Sequence, residues 1–303
     1  MDKVLILGIN GFTGKHFQQY LAKNGLLGKL DFVGVDRAIG TADRMEKIEY
    51  LEADVVSPGT IERLLKNERP AYIINLAGLF GAADFTALFQ VNAEVSRRIL
   101  ATIVDDKVAV KRVLLIGSAA EYGIPGTMPV KESHPLNPIS PYGLTKMIQA
   151  MYANYYFRNF GTDVVVARTF NILGKGLSPK LSVGSFAEQV KNLHPGGTLK
   201  VGNLNTKRDF LDIEDTIDAY WKLLHSGKPG QVYNVCSGKS VYIKEILEFL
   251  ISTSGKNASV QVDGNLVRKN DILDFVGDNS KLRADAKWNA RVDIHESLKA
   301  MIA

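Results

Sequence analysis

Of the 303 residues only one, Cys236, is a cysteine. No internal disulfide can form, and its setting in "YNVCSG" reads as a buried strand end, so a reducing, cytoplasmic compartment is expected. Long hydrophobic runs are missing too. The first apolar run, Val4–Ile9, is far shorter than the roughly 20 residues a membrane helix needs. Gly11, Gly14, Lys15 and His16 follow it, so neither a membrane span nor a signal peptide is expected. Charge of one sign is nowhere concentrated: Lys and Arg number 37 against 32 Asp and Glu, a net +5. Without a basic arm, no nucleic-acid partner is expected, and the cations read as solvated surface, some of them free to meet an anionic small molecule. His16, His134, His194, His225 and His295 lie far apart with no metal-ligand spacing, so no metal site is expected. Heptads, repeats and low-complexity tracts are absent from the sequence.

What is present is an ordinary globular composition, 46% hydrophobic and 23% charged, in a chain long enough for one large or two modest domains. Short β-branched apolar runs at Lys3–Ile9, Asp31–Val35, Tyr72–Leu76, Arg112–Ile116 and Asp163–Ala167 alternate with segments of helical spacing at Thr13–Lys23, Pro58–Asn67, Ala87–Val104 and Pro141–Asn159. Runs unbroken by polar alternation imply strands covered on both faces, and the alternation with helices implies a parallel sheet. Ser57-Pro58 and Ser140-Pro141 each place a cap residue before proline at a helix start. After about residue 170 the rhythm gives way to glycine-bearing loops and short elements. The fold class is therefore α/β, a Rossmann-type doubly wound parallel sheet with a smaller C-terminal α/β substrate domain. A dinucleotide-binding domain is expected over residues 1–170, with the chain returning to it near 209–236, and an interleaved substrate-binding domain over 171–303. No flexible linker separates the two, so the ligand is expected in the crevice between them.

The stretch "LILGINGFTGKHF" sets Gly8, Gly11 and Gly14 between a strand and a helix, with Phe12 and Thr13 inside the glycine motif. Glycine permits the tight turn and the close approach of a pyrophosphate, which the helix N-terminus attracts. Asp36 ends the second strand 22 residues later, where a carboxylate can accept from an adenosine ribose hydroxyl. A tight turn whose glycines serve packing alone is the competing reading. Asp36 favours NAD over NADP, since its charge repels a 2′-phosphate, while Arg37 beside it could accept that phosphate. Asp54 and Val55 in "EADVVS", and the loop Leu76-Ala77-Gly78-Leu79, end the next segments on the same sheet edge and are candidates for lining the adenine and the nicotinamide ribose.

"SPYGLTKM" holds Tyr142 and Lys146 four residues apart on one helix face. Tyrosine, with a pKa of about 10, is a poor acid–base group at neutrality. A nearby ammonium and the helix dipole are expected to lower it. Ser118 ends a strand 24 residues earlier, where its hydroxyl can hold a substrate oxygen while Tyr142 exchanges the proton.

Gly8-x-x-Gly11-x-x-Gly14, Asp54-Val55, Asn75-Leu-Ala-Gly, Ser118…Tyr122-Gly123, Tyr142-x-x-x-Lys146, Arg168-Thr-Phe-Asn171 and Arg208-Asp-Phe together resemble the extended short-chain dehydrogenase/reductase family, nearly end to end. The resemblance implies a catalytic triad of Ser118, Tyr142 and Lys146, and places Asn171, Arg208 and Arg268 against a nucleotide-diphosphate sugar. "VGNLNTKRDFLDIEDTIDAYW" with "VYNVCSG" is most similar to members that reduce GDP-4-keto-6-deoxy-D-mannose, which implies NAD(P)H-dependent reduction at C4. Members that eliminate water carry an acid two residues before the tyrosine of Tyr-Gly, and epimerase–reductases a cysteine; here Ala119 and Ala120 offer neither. A 4-epimerase that retains NAD needs the same three groups, and a non-catalytic dinucleotide sensor on the same fold is the alternative of another class. The resemblance also implies a homodimer through the helices near Ala87–Val104 and Pro141–Asn159, the second of which is rich in Met and in Tyr152, Tyr155 and Tyr156.

Overall fold

The first strand, β1 (Lys3–Leu7), explains why the sheet lies inside. Val4 and Ile6 join one apolar cluster, Leu5 and Leu7 another, and all four are fully buried. Alternate residues of a strand face opposite ways, so this strand needs cover on both sides. The computed structural model describes residues 1–40, 44–81, 84–194, 196–267 and 271–303. After β1 come α1 (Phe12–Lys23), β2 (Asp31–Asp36), β3 (Ile48–Glu52), α2 (Thr60–Glu68), β4 (Tyr72–Asn75), α3 (Phe85–Phe89), α4 (Val95–Asp105), β5 (Arg112–Ser118), α5 (Pro141–Phe160) and β6 (Val164–Thr169). Beyond them lie β7 (Asn171–Leu173), α6 (Ser182–Lys191), β8 (Thr198–Val201), β9 (Lys207–Asp212), α7 (Ile213–Ser226), β10 (Val232–Val235), β11 (Ser240–Tyr242), α8 (Ile243–Ser254), β12 (Ser259–Val262), β13 (Asp274–Phe275), α9 (Ser280–Ala286) and α10 (Ile294–Ile302).

Seven strands pair in the order β10-β6-β5-β4-β1-β2-β3, every pair parallel. Phe17 and Leu21 of α1, Ile217 and Leu223 of α7 and Leu282 of α9 seal one face. Ile61 and Leu65 of α2, Ile99 of α4, and Ala150 and Ala153 of α5 seal the other. The doubly wound parallel sheet is thus the one the alternation implied. From β1 the chain winds outward through β2 and β3, then restarts at β4 on the opposite side. That reversal opens a crevice at the C-terminal ends of β1 and β4. At the far edge β10 pairs with β6.

A second sheet centres on β9, which pairs antiparallel with β11 and parallel with β7 and β13. Over it, Val183 and Phe186 of α6, Ile246 and Leu250 of α8, Leu298 of α10 and Leu199 of β8 form a separate apolar core. This is the smaller C-terminal α/β part.

Two local expectations are corrected and one element is added. Ser57-Pro58 forms a turn rather than a helix start: α2 opens at Thr60 behind Gly59, whose left-handed φ of 71° sets the entry. The helical stretch expected over Ala87–Val104 is divided by a π-helical turn, Gln90–Glu94, between α3 and α4. The edge strand β3 is an addition, and its burial is only partial. By contrast, Ser140 caps α5 as expected, accepting the Gly143 N–H at 3.1 Å, with proline in the first turn.

Candidate active site

The turn between β1 and α1 has no room for side chains. A Cβ on Gly8, which has φ +83°, would lie 2.7 Å from the Ala77 nitrogen, and one on Gly14 would lie 2.3 Å from the Ile9 carbonyl oxygen. A Cβ on Gly11 would meet only the Gly8 carbonyl, at 3.3 Å, so the outer side of the turn is open. Gly11 is the N-cap of α1, and among the described residues neither a side-chain cap nor an acid in the first turn meets the leading N–H groups of Phe12 and Thr13. Uncapped amides at the positive end of a helix, behind a glycine turn, fit a pyrophosphate.

Asp36 ends β2 and accepts from the Asn10 N–H and the Arg37 N–H, both at 2.8 Å. These bonds fix its charge beside the turn. Arg37 itself is exposed. The Asn10 Oδ1 is buried with no partner among the described residues, an acceptor left at the same place. Asp54 accepts from the Val56 N–H within its own turn, and Val55 is buried in the core beside β2 and α2. Leu76, Ala77 and Gly78 follow β4 directly beneath the Gly8 turn. Asn92, fully buried in the π-helical turn, holds this loop: it accepts from the Leu79 N–H and donates to the Leu79 carbonyl, both at 2.9 Å, and to the Thr145 hydroxyl at 3.1 Å. The sequence reading missed Asn92, whose one signal is an amide standing in an otherwise helical, half-apolar segment.

Ser118 is the last residue of β5 and caps a short 3-10 turn, Ala119–Tyr122, accepting from the Ala120 N–H at 3.2 Å. Its side chain meets that of Tyr142, in the first turn of α5. Lys146 stands on the same face of α5, only 4% exposed, and donates to the Ile116 carbonyl at 2.8 Å and to Gln149 Oε1 at 3.2 Å. A Cβ on Gly78 would be 3.8 Å from Lys146 Nζ, so the lysine reaches the loop after β4. Close packing fixes the helix here, since a Cβ on Gly143 would lie 2.5 Å from the Ala120 carbonyl oxygen. Ser118, Tyr142, Lys146, the glycine turn and the Gly78 loop therefore converge at the sheet's switch point.

The electrostatics differ from the sequence expectation. Burial pushes the Tyr142 phenol up, opposed by the Ser118 hydrogen bond and reinforced by the charge of Glu121. The expected lowering by Lys146 does not prevail, because the ammonium is turned toward Ile116 and Gln149. Burial lowers Lys146 itself to about 8, with Glu121 pulling the other way. Glu121 is wholly buried, accepts from the Ser118 N–H at 2.7 Å, and pairs with Arg168 at 2.7 Å.

Of the residues expected to meet a substrate, Asn171 opens β7 and donates to the Asp209 carbonyl at 2.9 Å. Arg208 lies on β9, donating to the Lys207 and Ile272 carbonyls at 2.7 and 2.5 Å and pairing with Asp271 at 2.6 Å. Both are brought toward the serine turn by one apolar cluster, in which Ala119 and Tyr122 pack with Phe170 and Phe275, the residue paired in register with Arg208. Arg268 lies outside the described residues. Among those residues, no group of three or more His, Cys, Asp or Glu side chains is placed to hold a metal, and no helix is long and apolar enough to cross a membrane.

This geometry has counterparts. A model of the NAD dependent epimerase/dehydratase family matches residues 4–236. The GDP-6-deoxy-D-mannose reductase of Pseudomonas aeruginosa is 27% identical over 311 aligned residues, covering 100% of this chain and 96% of that protein. The GDP-6-deoxy-D-talose 4-dehydrogenase of Aggregatibacter actinomycetemcomitans is 28% identical over 289 residues, 92% and 90% of the two chains. Among solved structures, RMD from Pseudomonas aeruginosa complexed with NADPH superposes with a TM-score of 0.84 at 26% identity, covering 100% of this chain and 98% of that one. The UDP-glucose 4-epimerase of Thermotoga maritima shares the fold, with a TM-score of 0.88 at 22% identity and coverage of 99% and 97%. With the family match spanning most of its length, and the glycine turn and the serine, tyrosine and lysine meeting at one crevice, the chain belongs to the NAD dependent epimerase/dehydratase family.

Proposed function

We propose that the protein reduces the C4 ketone of a GDP-4-keto-6-deoxy-D-mannose-like sugar nucleotide with NAD(P)H, giving a GDP-D-rhamnose-type product. The observation that carries this reading is the content of the turn after Ser118. Ala119 and Ala120 have no transferable proton, and the one acid, Glu121, is buried and committed to Arg168 and the Ser118 N–H. Elimination of water needs an acid or base free to reach the sugar; hydride reduction needs one proton donor only. The names of the two curated relatives, a GDP-6-deoxy-D-mannose reductase and a GDP-6-deoxy-D-talose 4-dehydrogenase, support the substrate class.

In this reading Gly8, Gly11, Phe12, Thr13 and Gly14 hold the pyrophosphate. Asp36 with Arg37 meets the adenosine ribose, Asp54 and Val55 the adenine, and Leu76, Ala77 and Gly78 the nicotinamide end. When bound, the reduced nicotinamide supplies hydride to C4. Ser118 holds the C4 oxygen, and Tyr142 donates its proton to that oxygen as charge develops there. Lys146 supports the phenolate that remains and binds the nicotinamide ribose. Asn171, Arg208 and Arg268 hold the sugar nucleotide. Residues 1–170, with the return near 209–236, serve the cofactor, and 171–303 the substrate. Asp36, its charge fixed by two N–H groups, favours NAD over NADP. The exposed Met151, Tyr155 and Phe160 on α5 suit a homodimer, and buried Cys236, its thiol pushed up by burial, suits the cytoplasm.

The test is cofactor stoichiometry. GDP-4-keto-6-deoxymannose should consume one NAD(P)H per product formed, and GDP-mannose should not lose water. Interconversion of sugars without net cofactor use would replace this reading with a 4-epimerase, and cofactor binding without any turnover would replace it with a sensor.

A further inference from the structure

The Glu121–Arg168 pair is a costly feature to find at the end of a central strand. Glu121 is 0% exposed and Arg168 2%, and burying an ion pair is rarely a net gain in stability. Its bonds are specific. One carboxylate oxygen accepts the Ser118 N–H at 2.7 Å; the other accepts Arg168 Nε at 2.9 Å and lies 2.7 Å from the second guanidinium nitrogen. The remaining guanidinium nitrogen donates to the Tyr122 hydroxyl at 3.0 Å, which donates to Asn234 Oδ1 at 2.7 Å. Space for the carboxylate exists because residue 117 is glycine: a Cβ there would lie 2.6 Å from Glu121 Oε1. The pair therefore grips the backbone of the residue whose hydroxyl meets Tyr142.

We propose that Glu121, held by Arg168, is a positioning residue for the reaction: it fixes the Ser118 peptide, and with it the hydroxyl that meets Tyr142, and adds a buried negative charge to their surroundings. The proposal rests on the reading of those three residues as the reacting groups. The charge acts on both members of α5, raising Tyr142 and opposing the fall of Lys146. A phenol kept protonated is the acid that reduction requires, and an ammonium kept charged is its support. Other groups face the cluster. From its own turn comes Tyr122, which also feels Glu132; Lys281 of α9 faces Arg168 and Glu132; Tyr220 of α7 faces Tyr142.

The experiment is a spectrophotometric titration of the Tyr142 phenol in the free enzyme, isolated by subtracting Tyr142→Phe in each background, alongside the pH profile of kcat/KM. Glu121→Gln keeps an acceptor for Ser118 and removes the charge. The Tyr142 midpoint should fall by about one unit, a tenfold loss of proton affinity, and the alkaline limb of the rate profile should move down with it. Glu121→Gln/Arg168→Gln, which leaves no unpaired buried charge, should shift it in the same direction by a smaller amount. A midpoint unmoved in folded variants, or failure of both variants to fold, overturns the proposal, since the pair would then serve the fold alone. The titration needs no substrate, so absence of keto-sugar reduction in the wild type would refute the proposed function while leaving this result to be read separately.

Discussion

Replacing Lys146 by methionine exchanges a buried ammonium for an apolar chain of similar length. In the folded protein burial lowers Lys146 from 10.5 to about 8. That depression corresponds to about 3 kcal/mol of disfavoured charge, at 1.36 kcal/mol per unit. A group with a depressed folded pKa contributes stability above its unfolded pKa, and loses it as pH falls through the folded one. The wild type is thus burdened below pH 8 and relieved between about 8 and 10.5, whereas the methionine variant is indifferent over that window. Against this gain, the variant loses the bonds to the Ile116 carbonyl at 2.8 Å and to Gln149 Oε1 at 3.2 Å. The Ile116 carbonyl keeps the Gln149 amide at 3.0 Å, so one acceptor is stranded, costing about 1–2 kcal/mol. Lys146→Met should therefore be more stable than wild type by about 1–2 kcal/mol at pH 7, lose that advantage by pH 10, and show no turnover. Urea unfolding at pH 7, 8.5 and 10 measures the stabilities, and NAD(P)H oxidation measures the turnover. A variant less stable at pH 7, or a difference that does not change with pH, refutes the reasoning. Function at this lysine would then not be held against stability.

Tyr142→Phe should lower kcat by about 10²- to 10⁴-fold while leaving the cofactor dissociation constant nearly unchanged, because only the transferable proton is removed; a variant retaining more than about a tenth of the rate contradicts its role. Tyr122→Phe strands Arg168 and Asn234 at a site with no exposure, and should cost about 2–4 kcal/mol in urea unfolding without moving the midpoint for cofactor binding. Asp36→Ala should weaken NADH and spare or improve NADPH, and selective damage to NADPH use in Arg37→Ala would reverse the preference for NAD; paired Michaelis–Menten measurements decide.

The central strands and their order of appearance were legible because β1, β4, β5 and β6 are apolar on both phases, a pattern only a two-sided sheet satisfies. β3 was not, since two of the five residues of Ile48–Glu52 are glutamates, and edge strands need no continuous apolar run. Ser140-Pro141 and Ser57-Pro58 look alike in sequence. Only the first is followed by residues that continue the helix, whereas Gly59 takes a left-handed φ that restarts it two residues on. Spacing revealed Tyr142 and Lys146 as neighbours on one face, but not that Lys146 turns inward to Ile116. Hence the direction of the Tyr142 shift was misjudged, with burial outweighing a charge that points elsewhere. Asn92 and Arg168, partners of the site from other elements, leave no local pattern. Glu121 and Arg168 stand 47 residues apart, and their pairing needed the third dimension.

The most direct test follows the hydride itself. The enzyme is incubated with GDP-4-keto-6-deoxymannose and NAD(P)H carrying deuterium at C4 of the nicotinamide, each face labelled in turn, and the product sugar is read by NMR. One face should deliver deuterium to C4 of the sugar, one atom per product, with the label absent from every other carbon and the transfer lost in Tyr142→Phe. Deuterium at another carbon, or product formed with none, would contradict reduction at C4 by the groups gathered around Ser118.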